Sequence, residues 1–220
     1  LDADEVADFD FVSQSIELLE QNKDVGIVQA RKIPRLPSEN WLSRFVSAER
    51  RVETWINHQF VHDIYDASHF AGSAAVLRHH VIEEIGGWST QALTEDIDLT
   101  IRLYLETEWT VRYVSQLAIS NLTPSTVSNL IRQRRRWARG WVEVTWRYTR
   151  DLIDSRRRLG RRQTVGLLWE LFSTIGAPIY LISVGVTLFV LAGSGPVVPL
   201  LLAVVLAIFL LPARGFVFIY

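Results

Sequence analysis

Three short stretches of the chain hold side chains suited to chemistry. Asp2 and Asp4 stand two apart at what reads as the end of a strand, where alternate side chains point to one side. Two carboxylates so placed suit a hard divalent cation, Mg2+ or Mn2+, whose shell phosphate oxygens and water can complete. Two solvated loop aspartates would show the same letters. Thr94-Glu95-Asp96 opens a helical pattern, with Thr94 as N-cap and both acids in the first turn, where the helix dipole favours them. Capping alone accounts for these acids; the chemical reading makes Asp96 a general base that takes a proton from an attacking hydroxyl. Gln133-Arg134-Arg135-Arg136-Trp137 joins guanidinium groups, which suit a diphosphate, to an indole, which suits the apolar face of a sugar ring. A juxtamembrane helix gives another account, with its arginines at lipid headgroups and Trp137, Trp141 and Trp146 anchored at the interface. His58 and His62 are four apart on a helical stretch, a spacing that can serve zinc, but two histidines without an obvious third partner read more simply as ordinary helix residues.

Positioning these groups requires an alternation of strands and helices. Phe11, Val12, Ile16 and Leu19 mark one side of an amphipathic helix, and the β-branched run Val25 to Gln29 follows as a strand. Arg31 to Ser38 holds two prolines and reads as a loop. Trp41 to Val61 has helical spacing, Ser73 to Leu77 resembles a buried strand, and Gly86-Gly87 stops the short helix after it. A helix is expected from Glu95 to about Glu106, a strand from Thr110 to Val114, and a long basic amphipathic helix from Ser125 to about Asp154. The order is that of an α/β fold.

Charge is segregated along the chain. Eight of the first twenty-four residues are acidic, twelve arginines fall between Arg132 and Arg162, and from Thr164 onward only Glu170 and Arg214 are charged. Residues 168–192 are long enough to cross a bilayer as a helix, and 196–213 stand near the lower length limit. Arginines massed before the first span predict a cytosolic placement for residues 1–162 by the positive-inside tendency. The chain has no cysteine, which excludes disulfides and thiolate metal sites. It begins at Leu1 and reads as part of a longer protein.

In order and approximate separation, Asp2-Ala3-Asp4, Val28-Gln29, Phe70-Ala71-Gly72-Ser73, Gly86-Gly87-Trp88, Thr94-Glu95-Asp96 and Gln133-Arg134-Arg135-Arg136-Trp137 resemble the membrane-integrated family 2 glycosyltransferases. That family includes the cellulose, poly-N-acetylglucosamine and hyaluronan synthases. The resemblance implies a partial GT-A (Rossmann-like) catalytic domain over residues 1–124, an interface helix and basic linker carrying Q-x-x-R-W over 125–162, and transmembrane helices over 163–220. It implies an inverting transfer from a UDP-sugar to a growing polysaccharide at the cytosolic face of the plasma membrane. Asp2 and Asp4 match the D-x-D that binds the nucleotide diphosphate and its metal, and Asp96 matches the base. Gln133 and Arg136 match the pair that meets the diphosphate, and Trp137 the acceptor's cradle. Phe70, Gly72, Ser73 and Glu95 match positions near the acceptor. The expected partners are a nucleotide-sugar donor, a polysaccharide or lipid acceptor and membrane lipids. Two rivals are a non-processive transferase acting on a lipid, and a non-catalytic membrane protein whose basic segment Arg132 to Arg162 binds anionic lipid or nucleic acid. Nucleic acid is not an expected partner, because Asp2, Asp4, Glu95 and Asp96 would repel a polyanion.

Overall fold

A computed structural model describes residues 1–35, 40–173 and 186. The chain divides into two compact units, Leu1–Thr174 and Ile175–Tyr220, and the elements that follow belong to the first. They are β1 (Val6–Ala7), α1 (Phe11–Gln21), β2 (Val25–Arg35), α2 (Trp41–Glu53), a π-helical segment (Thr54–Phe60), α3 (Val61–Tyr65), β3 (Ala75–Leu77), α4 (His79–Glu84), α5 (Glu95–Glu106), β4 (Thr110–Leu122), α6 (Val127–Asp154) and α7 (Arg156–Leu159). Residues 161–173 are helical and are called α8.

The four strands make one mixed sheet in the order β1-β4-β2-β3. Strands β2 and β4 run parallel, while β1 and β3 add antiparallel to either side. Alternation along β2 sends Ile27 to one face and Val28 and Ala30 to the other. Val28 and Ala30 meet Phe11 and Leu19 of α1. Ile27 joins a larger core with Ile97, Leu99 and Ile101 of α5, Val144 and Leu152 of α6, and Leu167 and Leu171 of α8. Helix α5 is buried nearly all round, as a helix apolar on most sides must be.

Several boundaries differ from the sequence expectation. The stretch expected as a loop from Arg31 continues β2 to Arg35, paired with β4 as far as Leu122. Strand β3 pairs only with Ile27 to Gln29, so Pro34 lies where one side of β2 is open and its missing N–H costs no ladder bond. On α1, Phe11 and Leu19 are buried as expected, but Ser15 completes that face while Val12 and Ile16 are exposed. Asp2 and Asp4 lie in a turn closed by the Glu5 N–H to the Asp2 carbonyl at 3.1 Å, ahead of β1 and not on a strand.

Among the described residues no helix is long and apolar enough to cross a membrane. The predicted span 196–213 and most of 168–192 lie outside the described residues. Residues 168–173 belong to α8, where Glu170 and Leu171 are buried within the first unit.

Candidate active site

A cavity of about 270 Å³ lies between β2, β4, α2, the start of α5 and one face of α6. Its wall gathers Asp2, Glu95, Asp96, Gln133, Arg136 and Trp137, which are far apart in sequence, together with Gly72. Asp4 is exposed in the same turn as Asp2 but is not on the wall.

Asp96 is set by the first turn of α5 and by the loop before β3. Its Oδ1 accepts the Ile97 N–H at 2.9 Å. Gly72, at φ +79°, passes so close that a Cβ there would stand 2.9 Å from Asp96 Oδ2, so glycine serves both the left-handed backbone and the approach. Burial pushes the Asp96 carboxyl above its ordinary range, against the Ile97 N–H and the charge of His69.

The loop itself hangs on β2 and α5. Gln29, fully buried, accepts the Ala71 N–H at 2.9 Å and donates to the carbonyls of Ala30, Ser73 and Ala74. Thr100 Oγ1 accepts the Phe70 N–H at 3.0 Å and donates to the Asp96 carbonyl at 2.8 Å. Phe70 and Ser73, expected near the acceptor, are buried off the cavity wall. Phe70 packs in the core beside Trp88, and Ser73 Oγ donates to Glu5 Oε1 at 2.6 Å, which ties the loop to the Asp2 turn.

Helix α6 starts at Thr126, whose Oγ1 accepts the Asn129 N–H. Gln133, Trp137 and Trp141 recur every four residues and so share the face turned to the cavity. Arg50 and Arg134 each hold a guanidinium 5.0 Å from the centre of the Trp137 ring. Arg136 also lines a neighbouring groove with Arg132, Arg135 and Arg139. Two contacts lock α6 to α5. Asp98, fully buried, takes Arg102 at 2.9 Å, Arg147 at 3.2 Å and the Tyr148 hydroxyl at 2.9 Å. Gly140 lies against Thr94, where a side chain would collide. Thr94 stands at the N-cap position of α5 as expected, but without the side-chain bond of a cap. Its hydroxyl is turned into the packing.

Several wall residues were not legible as site residues. Lys32, on the part of β2 expected to be a loop, donates to the Ala71 carbonyl at 2.7 Å and stands 3.8 Å from Glu5. Burial lowers its pKa, while Glu5 works the other way. His58, on the π-helical segment, stacks between Tyr113 and His69, and all three reach the cavity. A π segment is a recurrent mark of functional sites, but no sequence pattern announced it. The helical period alone could have placed Trp141 with Trp137.

Buried polar atoms left unpaired by the protein cluster here. Gln133 Oε1, Tyr113 Oη and His58 Nδ1 have no hydrogen-bond partner, and each residue lines the cavity. Leaving such groups unpaired costs about 1–3 kcal/mol each, a cost concentrated in the residues of this wall. Among the described residues no three His, Asp or Glu side chains gather as a metal site. Asp2 and Asp4 offer hard oxygen donors that suit a cation sharing its shell with a diphosphate.

Known proteins resemble this chain in sequence over 46% to 76% of its length. Beta-monoglucosyldiacylglycerol synthase of Trichormus variabilis is 30% identical over 167 residues, 76% of this chain and 35% of that protein. Cellulose synthase 1 catalytic subunit (UDP-forming) of Komagataeibacter xylinus is 37% identical over 100 residues, 46% of this chain and 13% of that protein. Glucomannan 4-beta-mannosyltransferase 1 of Cyamopsis tetragonoloba is 29% identical over 156 residues, covering 71% and 30%. The chain thus spans about a third or less of the length of these relatives. A solved mannosyltransferase from Pyrobaculum calidifontis, in complex with GDP-Man and Mn2+, aligns with a TM-score of 0.49 and 14% identity over 95% of this chain and 54% of that one. The family model for glycosyl transferase family group 2 matches residues 1–217, and the chain belongs to that family.

Proposed function

We propose that this chain carries part of the GT-A catalytic domain of an inverting glycosyltransferase, which moves a hexose from a UDP-sugar onto a growing polysaccharide at the cytosolic membrane face. The observation that carries the reading is one cavity whose wall brings together the half-buried carboxylate of Asp96 with Gln133, Arg136 and Trp137.

Asp96 takes the proton of an acceptor hydroxyl as that oxygen attacks the anomeric carbon. The bond from that carbon to the diphosphate breaks on the opposite face, so the configuration inverts. Arg136 and Gln133 meet the departing diphosphate, where a guanidinium offers paired donors. Trp137, with Trp141 one turn on, gives the acceptor ring an apolar platform. Glu95, exposed at the rim, is placed to accept an acceptor hydroxyl. Asp2 and Asp4 would hold Mg2+ or Mn2+, which would offset the charge of the UDP leaving group. The basic groove of Arg132, Arg135 and Arg139 supports a membrane-facing placement of α6.

A lipid acceptor is the second reading, favoured by the similarity to the glucosyldiacylglycerol synthase over 76% of the chain. UDP-sugar binding to the full-length protein, with and without Mg2+ or Mn2+, tests the donor site, and product length separates the acceptors. A polymer ladder supports the polysaccharide reading and a single added sugar the lipid one. Failure to bind any UDP-sugar in either condition contradicts both.

A further inference from the structure

Glu170 is a charge in an unfavourable place. It sits in α8 between Leu167 and Leu171, all three buried, and a carboxylate removed from water needs a partner to offset its desolvation. Among the described residues that partner is His69, whose Nδ1 stands 2.8 Å from Glu170 Oε2. The imidazole is held on its other sides as well. It stacks on His58 with ring centres 4.4 Å apart and meets the Trp141 ring edge-on at 5.4 Å. His69 nevertheless lines the cavity that holds Asp96. Nδ1 lies within ion-pair distance of Glu170 without an aligned N–H···O bond, so the pairing is one of charge, and the same imidazole reaches the cavity.

We propose that His69, paired with Glu170, is a positioning residue for Asp96: its imidazolium supplies a positive charge to the cavity wall that it shares with the Asp96 carboxylate. The proposal rests on the reading of Asp96 as the base. The titratable groups that act on His69 are Glu170 on α8, Asp96 on α5, Glu53 at the end of α2 and His58 on the π-helical segment, and the cations Lys32 and Arg50 stand on the same cavity wall. Burial pulls the His69 pKa down, but Glu170, with Asp96 and Glu53, raises it above the ordinary histidine value. His58 is pushed well below its own ordinary value, by burial and then by His69, and so lends the stack an uncharged ring. At Asp96 the effect is returned, since the His69 charge opposes the upward push of burial. Glu170 on α8 is thereby linked to the cavity through one side chain.

The test uses His69→Gln and Glu170→Gln in the full-length protein, with transfer followed from about pH 5 to about pH 9 and donor affinity measured alongside. The base must be ionised, so kcat/KM falls as pH drops through the Asp96 pKa. Without the imidazolium this acid limb moves up by about one pH unit in both variants. Donor affinity and the alkaline plateau stay within about 3-fold of wild type. The double replacement His69→Gln/Glu170→Gln leaves two amides able to bond each other, guards against a folding defect, and shifts the limb as far as either single change. An acid limb that keeps its wild-type position in the folded variants overturns the proposal. Asp96→Asn separates the two readings. If it abolishes transfer while the limb stays put, only the role of His69 falls; if it leaves transfer intact, the base assignment falls and takes this one with it.

Discussion

Replacing Gly140 by alanine adds one methyl group at the point where α6 crosses the start of α5. The added Cβ would stand 2.5 Å from Thr94 Oγ1 and 2.9 Å from Thr94 Cβ, whereas carbon atoms in contact prefer about 3.5–4.0 Å. Thr94 cannot swing its Cβ away, so α6 must retreat by roughly 1 Å at that turn. Overpacking of this kind costs about 1–3 kcal/mol, and the gain in helix propensity returns about 1 kcal/mol. The net loss of stability is therefore about 0–2 kcal/mol, read from urea unfolding. Activity should suffer far more. Helix α6 carries Gln133, Arg136 and Trp137 while α5 carries Asp96, and a misplacement of about 1 Å between reacting groups costs on the order of 100-fold in rate. Thr94→Ala in the same background removes the hydroxyl and the methyl from the clash and should recover at least about 10-fold in kcat/KM. A Gly140→Ala protein with wild-type activity and a gain of about 1 kcal/mol would refute the reasoning, because helix propensity would then be acting unopposed.

Trp137→Ala and Trp141→Ala should each lower acceptor-dependent transfer by roughly 5- to 150-fold, as expected for about 1–3 kcal/mol of stacking; Trp146→Ala, at a position 79% exposed, should leave activity per inserted molecule unchanged. Equal losses in all three, confined to membrane yield, would return the tryptophans to a purely interfacial role. Asp98→Asn should destabilise the fold by about 3 kcal/mol in urea unfolding, since it strips the buried partner from Arg102 and Arg147, and a loss under about 1 kcal/mol would show that the pair is not a structural tie. The Asp96 carboxyl has a raised pKa in the fold, so its ionisation opposes folding: the stability it allows is fully present in acid and is lost as pH rises through the raised value. Asp96→Asn should therefore be at least as stable as wild type in thermal unfolding at neutral pH, with the difference shrinking towards acid. A variant less stable at neutral pH would contradict the sign.

Much of the site could be read from residue types and order, and the reasons for the rest are physical. Helix α5 runs from Glu95 to Glu106 as expected, because its apolar periodicity is bounded at both ends by residues that leave the helix. The wall residues Asp2, Asp96, Gln133, Arg136 and Trp137 were each marked by a local motif. What could not be read are contacts between elements that no local pattern links. Lys32 fell in a stretch whose prolines suggest a loop, and only the open side of β2 lets Pro34 remain in a strand. Phe70 and Ser73 share a motif with Gly72, yet the left-handed turn at Gly72 sends their side chains into the core and towards Glu5. Thr94 takes the N-cap position expected of a threonine before an acidic turn, but its packing against Gly140, forty-six residues on, could not be read from the local sequence. Glu170 did give a signal, as one of two charges in an apolar tail. An isolated carboxylate in such a run marks a partner to be sought, but sequence does not say that the partner is His69.

The measurement that bears most directly on the central claim is made on Asp96→Asn in the full-length protein, with UDP-sugar affinity and single-turnover transfer to acceptor determined on the same preparation. The amide keeps the shape of the side chain and removes its ability to accept a proton. If Asp96 is the base in a cavity otherwise intact, donor affinity stays within about 3-fold of wild type and the rate of transfer falls by about 100- to 10,000-fold. Transfer within about 10-fold of wild type would contradict the account, and the base would have to be sought elsewhere on the cavity wall.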